Sequence, residues 1–249
     1  MKIAAIYDIH GNQPALEAAL QDIYRSDVDQ IIVGGDVVLG PMSRECLDML
    51  LAVELPVQFI KGNCEVAVLE ELKDGFKGKL PQSVLEDIRW TAQQLHPIHE
   101  EVMKNWPMTI SLKMEQLGEI LFCHATPENE NDNFTSITPE EILLPVFSKV
   151  EEDIVVCGHT HMQFDRAIGK TRVLNAGSVG MPFGKPGAYW LQLDSNVTFH
   201  RVEYDIEKAV EWIKNTAYPH ASEFAESNVK NPPSEEVMLK ALSGSKQKH

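Results

Sequence analysis

The stretch KIAAIYDIHGN, residues 2–12, decides the fold. Its apolar run reads as a buried strand that halts at Asp8 and His10. The Gly11-Asn12 turn then leads into NQPALEAALQDIYR, where Leu16, Leu20 and Ile23 recur at helical spacing with Pro14 near the start. The order repeats in QIIVGGD (residues 30–36), a Gly/Pro turn, a helix expected from about Ser43 to Ala52, and PVQFIKGN (56–63). Strand, loop and helix in succession imply parallel pairing with helices over the sheet faces. Ligands in such sheets gather at the carboxyl ends of the strands, where Asp8, Asp36 and Asn63 all fall.

Further along, residues 65–106 turn helical and polar, broken at GFKGK, Pro81 and Pro97, and read as a helical cap inserted into the domain. Strands return with MTISLKM and GEILFCH. NENDNF lacks the spacing of a calcium loop and reads as an exposed connection. DIVVCGHTH, FDRAI, TRVLNAG, AYWLQL and VTFHRV are short β runs separated by turn residues, expected to form a second, largely antiparallel set packed on the first. A helix follows Asp205 and runs to about Asn215, and another covers His220 to Val229. The tail, residues 232–249, is expected to be in part mobile, beyond Leu242. The whole chain, 1–249, is thus predicted to be one α/β domain, a two-sheet β-sandwich flanked by helices with a helical insertion.

With 249 residues and 43% hydrophobic content the chain can bury a substantial core. No apolar run approaches the roughly 20 residues that span a bilayer, and Asp8 interrupts the first strand too early for a signal peptide, so a cytoplasmic location is expected. Cys46, Cys64, Cys123 and Cys157 show no CxxC spacing and suit reduced thiols. A charge of −15, from 37 acidic and 22 basic residues, repels duplex nucleic acid but leaves room for a small phosphate ester, because bound cations would reverse the local field. Oligomeric state is not encoded in any pattern of this chain.

The chemistry-bearing residues come in short clusters: Asp8-Ile9-His10, Asp36 after two glycines, Asn63 in KGNCE, His124 in FCHATP, and His159-Thr160-His161. In an extended strand end residues i and i+2 share a face, so Asp8 with His10, and His159 with His161, are expected to converge. Carboxylate oxygen and imidazole nitrogen suit zinc, manganese, iron or nickel.

In this order and at these gaps, DxH, GD with a nearby GP, GN, a lone His after a strand and GHTH resemble the calcineurin-like metallophosphoesterase superfamily. The likeness runs from Lys2 to about Val202, and NAGSVGMP (175–182) is similar to a segment of its small bacterial and archaeal phosphodiesterase branch. The resemblance implies that Asp8, His10 and His161 hold one divalent metal ion, that Asn63, His124 and His159 hold a second, and that Asp36 bridges them, manganese being favoured. It implies attack by a hydroxide held between two cations on a phosphodiester or phosphoanhydride of a small or nucleotide-like substrate, dinucleoside polyphosphates among the candidates, with Asn63 and His124 assisting. Many members carry His after GN. Here Cys64 stands in that place, as a site residue or as a packed thiol; a neutral thiol is a poorer general acid than imidazolium. Competing readings are a phosphoprotein or phosphomonoester phosphatase, which the Cys64 change disfavours, and an inactive interaction scaffold, which would be expected to lack some ligands. Lys61, Arg172 and Lys185 are candidate phosphate contacts, outweighed by surface roles. Surface or packing roles are expected of His96 and His99, and packing of Trp90, Trp106 and Phe76.

Overall fold

The opening apolar run becomes β1 (Ile3–Ile6) in a computed structural model that describes residues 1–243. Alternation along the strand does two jobs. Ile3, Ala5 and Tyr7 face the second sheet, while Ala4 and Ile6 pack under helices, and all five are fully buried. α1 (Gln13–Arg25) starts where Asn12 Oδ1 accepts the Ala15 N–H at 3.3 Å, and buries Leu16, Leu20 and Ile23 as the spacing predicts. β2 (Gln30–Val33), α2 (Ser43–Leu51) and β3 (Val57–Phe59) follow.

With β9 (Ala188–Leu193) and β10 (Val197–Val202), the first sheet has the order β10-β9-β1-β2-β3, with β1, β2 and β3 parallel. The second has the order β4-β5-β6-β8-β7 and consists of β4 (Thr109–Met114), β5 (Gly118–Cys123), β6 (Ile154–Cys157), β7 (Phe164–Ile168) and β8 (Thr171–Asn175). Between the sheets, Ile32, Leu191 and Leu193 meet Ile120, Phe122, Val156 and Leu174. α6 (Glu140–Phe147) covers the outer face of the second sheet through Leu143 and Phe147, which pack with Cys123 and Cys157. Two sheets flanked by helices is the architecture the sequence predicts.

The strand grouping differs from expectation. AYWLQL and VTFHRV, as β9 (Ala188–Leu193) and β10 (Val197–Val202), join the first sheet, and the second sheet is mixed, because β5 to β6 and β6 to β8 run parallel. The physical reason lies in β9. Trp190 packs on the helix side and Leu191 and Leu193 on the sheet interface, so this strand is buried on both faces and takes an interior place beside β1.

The stretch expected to be a cap insertion, 65–106, is helical: it is spanned by α3 (Asn63–Asp74), α4 (Gln82–Gln94) and α5 (Pro97–Asn105). Its aromatic residues pack: Trp106 stacks on Phe59 at 4.6 Å, Trp90 meets Tyr218 edge-on at 5.2 Å, and Phe76 lies against the core. His99 is buried with its Nε2 2.8 Å from Asp48 Oδ1, and His96 stacks on it. After α7 (Ile206–Lys214), α8 (Ala221–Phe224) runs into a π-helical stretch, Ala225–Lys230, and α9 (Glu235–Ser243) closes the described residues. Residues 244–249, most of the tail expected to be mobile, lie outside them. No helix among the described residues is long and apolar enough to cross a membrane.

Candidate metal centre

Parallel β1, β2 and β3 of one sheet, and parallel β5 and β6 of the other, end at the same edge of the sandwich. The loops leaving those ends carry all seven side chains singled out in the sequence. The structure brings them together. His10 Nε2 lies 3.2 Å from His161 Nε2 and 3.8 Å from Asp36 Oδ2; His161 Nε2 lies 3.4 Å from Asp8 Oδ1. His124 Nε2 is 3.0 Å from Asn63 Oδ1 and 3.4 Å from Asp36 Oδ2. His159 joins Asp36 and His124 in one group of converging ligand atoms, Asp8, His10 and His161 form a second, and His10, Asp36 and Cys64 form a third.

Convergence does not come from extended strand ends. Asp8, His10, Asp36, His159 and His161 all have left-handed backbones, with φ of 55°, 48°, 53°, 63° and 58°. β1 and β6 stop before these residues, so pleat alternation no longer governs them; Asp and His are among the few non-glycine residues that tolerate this region. Only two other non-glycine residues among those described, Asp27 and Leu39, share it. Strain of this kind costs of order 1–3 kcal/mol per residue and clusters at functional sites.

Hydrogen bonds between loops hold the strained backbone. Asp8 N–H donates to Gly35 O, and both Ile9 N–H and His10 N–H donate to Asp36 O. Glu65 stitches two loops together: one carboxylate oxygen accepts from Asp36 N–H and Gly62 N–H at 2.8 Å each, the other from Val37 N–H at 2.8 Å and Val38 N–H at 3.2 Å. Gly62 is required by space, since a Cβ there would sit 2.2 Å from Asp36 Oδ1. From NAGSVGMP, Ser178 Oγ–H donates to Asp8 O, Asn175 Nδ2 donates to Gly158 O, and Met181 O accepts His161 Nδ1–H at 2.7 Å. Phe183 stacks on the His161 ring at 5.3 Å.

Two of the ligand atoms are left bare. Asp8 Oδ1 and His159 Nε2 are buried without any hydrogen-bond partner. Asp8 Oδ2 is occupied by the His159 N–H and Asp36 Oδ1 by the Cys64 N–H, both at 2.8 Å, which fixes the two carboxylates and turns their second oxygens toward the histidines. His124 Nδ1–H donates to Gly34 O at 2.9 Å, so its Nε2 carries the lone pair when the ring is neutral. Lone pairs gathered this closely, with buried atoms unpartnered, fit a pair of cations and are costly otherwise.

Electrostatics agree with that fit. Burial pulls His124 down, but Asp36 and Asp8 outweigh it and push it up to about 10. His161 is raised in the same way, against burial, by Asp8. Burial first, then neighbouring histidines, holds His10 and His159 down at about 4. Burial favours the neutral acid at Asp8 and Asp36, yet the histidines beside them hold both carboxyls below the usual range. The two carboxylates thus favour positive charge at His124 and His161, in the electrostatic place that cations would take.

Cys64 is at the site but closed off. Its thiol donates to Asp36 Oδ2 at 3.1 Å, it is 3% exposed, and burial, Asp36 and Glu65 push it well above the ordinary thiol range. Lys61 Nζ is bound to Lys104 O and Arg172 pairs with Asp165, so neither is turned to the cluster. All four cysteines are free and buried. Sequence reasoning did not pick out Glu65, although Gly62-x-x-Glu65 at a helix start is a capping-box spacing that points to it. It also did not single out Ser178, which lies inside the NAGSVGMP segment, or Phe183, which directly follows it.

Comparison with known proteins follows the same line. Residues 1–196 match the family model described as calcineurin-like phosphoesterase superfamily domain. The chain is 28% identical over 245 residues to the uncharacterized protein MJ0912 of Methanocaldococcus jannaschii, covering 87% of this chain and 93% of that protein. It is 24% identical over 209 residues to phosphodiesterase YfcE of Escherichia coli strain K12, covering 79% of this chain and 89% of that protein. Among solved structures, hypothetical protein PH1004 from Pyrococcus horikoshii OT3 superposes with a TM-score of 0.81 at 22% identity, over 94% of this chain and 99% of that one. A metallophosphoesterase from Sphaerobacter thermophilus does so at 0.70 and 24%, over 92% and 99%. These two likenesses concern the fold.

Proposed function

The chain belongs to the calcineurin-like phosphoesterase superfamily, and from that premise we propose that it hydrolyses a phosphodiester or phosphoanhydride of a small or nucleotide-like substrate with two divalent cations. One observation carries this reading: Asp8 Oδ1 and His159 Nε2, buried and unpartnered, sit within a cluster of seven donor side chains at one edge of the sandwich. In this reading Asp8, His10 and His161 hold one cation, Asn63, His124 and His159 the other, and Asp36 lies between them. Nitrogen and oxygen donors of this kind admit manganese, iron, zinc or nickel, and the oxygen share favours manganese. Bound there, the cations would supply Lewis acidity that lowers the pKa of a water and neutralises charge growing on the phosphoryl oxygens.

The chain's own residues do the positioning. Gly34 O and Met181 O fix the His124 and His161 rings through their Nδ1–H groups, and the Cys64 N–H and thiol fix both oxygens of Asp36. Asn63 Oδ1 lies 3.0 Å from His124 Nε2, and in this reading both also assist at the phosphoryl group. The Cys64 thiol, pushed well above the ordinary thiol range and committed to Asp36, does not serve as a nucleophile, and in this reading water attacks phosphorus. The four free cysteines suit a reducing compartment, the cytoplasm. The test is turnover of bis(p-nitrophenyl) phosphate by metal-loaded protein. Activity that depends on added manganese and disappears in Asp36→Asn supports the reading; no turnover with manganese, iron, zinc or nickel defeats it.

A further inference from the structure

A cavity of about 250 Å³ opens beside the metal cluster, with His10 at one end. Helix α4 lends it Asp87, the segment entering α8 lends it Tyr218 and His220, and α8 itself lends it Glu223. Among the described residues its lining contains two carboxylates and neither Lys nor Arg. That suits an uncharged alcohol better than a second phosphate. Whatever leaves phosphorus into this space as an alkoxide needs a proton. Cys64 cannot supply it, because its thiol is sealed against Asp36.

His220 is placed to supply it. Its Nδ1–H donates to Asp87 Oδ1 at 2.7 Å, which fixes the ring and leaves Nε2 as the second nitrogen, 3.8 Å from Glu86 Oε2. The side chain is 27% exposed and lines the cavity together with Asp87. The other titratable groups on the wall serve less well: Asp87 and Glu223 are carboxyl groups, Tyr218 is pushed up by burial and Asp87, and His10 Nε2 is turned to the cluster. We propose that His220, oriented by Asp87, is the general acid that protonates the leaving alcohol, and that the substrate is a phosphodiester with an alkyl, uncharged leaving group. This rests on the phosphodiesterase reading of the adjoining site. The P–O bond breaks with its electron pair on the leaving oxygen, the Nε2 proton completes the alcohol, and the attacking water gives its oxygen to phosphorus and one proton to solvent. Neutral His220 then regains a proton from solvent.

Asp87, by its hydrogen bond, and Glu86 and Glu223, by charge, hold His220 above its ordinary value, which favours the acid form. The experiment compares an alkyl diester with bis(p-nitrophenyl) phosphate, whose leaving group departs without a proton. His220→Asn keeps a donor toward Asp87 but has no second nitrogen. Because a positioned general acid is worth about 10²–10⁴-fold, His220→Asn is expected to lower kcat on the alkyl ester by that factor and on the aryl ester by less than roughly tenfold. It should also remove the alkaline limb of the alkyl pH profile. His220→Gln, checked for folding by its melt, is the second variant. An equal loss on both esters, or no loss on the alkyl ester, overturns the proposal. A wild type that turns over neither ester defeats the phosphodiesterase reading itself.

Discussion

Replacing Glu65 with Gln tests whether the metal centre is held by its backbone. The carboxylate accepts four buried N–H groups, two on each oxygen. A glutamine keeps one oxygen, so in either orientation two of those donors face an amide NH2. Each buried donor left unsatisfied costs about 1–3 kcal/mol, or about 2–6 kcal/mol for the pair. One term opposes this. Burial and Asp36 push Glu65 from 4.5 up to about 7, which corresponds to about 3 kcal/mol of strain in the anion that the neutral amide escapes. Cations beside Asp36 cancel its repulsion, so the relief belongs mainly to the metal-free protein. Glu65→Gln should therefore lower the melting temperature of the metal-loaded protein by about 5–20 °C, lower that of the metal-free protein by less, and weaken metal binding by the difference. The assay is thermal melting with and without saturating manganese, with calorimetric titration of the metal. If the metal-saturated variant melts within about 1 kcal/mol of wild type, the four bonds do not hold the loops and the reasoning fails.

The metal-free protein should lose stability as pH rises. His124 lies above its unfolded value of 6.5, so its stabilising contribution is complete below 6.5 and fades toward about 10; metal loading removes that proton, and the gain in melting temperature on adding metal should be larger at pH 9 than at pH 6.5. A gain that shrinks with pH would contradict the assignment. Metal uptake should also release protons, read from titrations in buffers of different ionisation enthalpy. Gly62→Ala places a methyl group 2.2 Å from Asp36 Oδ1 and 2.7 Å from its backbone nitrogen; it should cost about 1–3 kcal/mol and at least tenfold in metal affinity, measured by titration. Native protein at pH 8 should resist iodoacetamide at all four cysteines and take up label only after unfolding, as followed by mass spectrometry.

What was legible in the sequence was local. Ile3 to Tyr7 followed by Gly11-Asn12 and a helical repeat fixes a strand, a loop and a helix within about twenty residues, because side-chain period and turn chemistry act over that range. The seven donors stand out for the same reason: each is a polar residue at the end of an apolar strand. Sheet membership was not legible for Ala188–Leu193, since an apolar run states that a strand is buried on both faces but not which neighbour buries it. The pairing of His220 with Asp87 spans 133 residues and leaves no pattern in either segment.

The backbone of the donors shows why reading them as extended went astray and what the fold does instead. A pleated strand would send Asp8 and His10 to one face without strain, but it would also carry the chain onward past the site. Five left-handed residues instead fold each loop back on itself, at a combined cost on the order of 5–15 kcal/mol. That cost is met by contacts between loops: Glu65 with four amides, Asp36 O with two, Asp8 Oδ2 with the His159 N–H, and Ser178 beneath Asp8. None of these bonds involves the bare atoms Asp8 Oδ1 and His159 Nε2. The contacts that hold the loops thus leave these two atoms to accept cations.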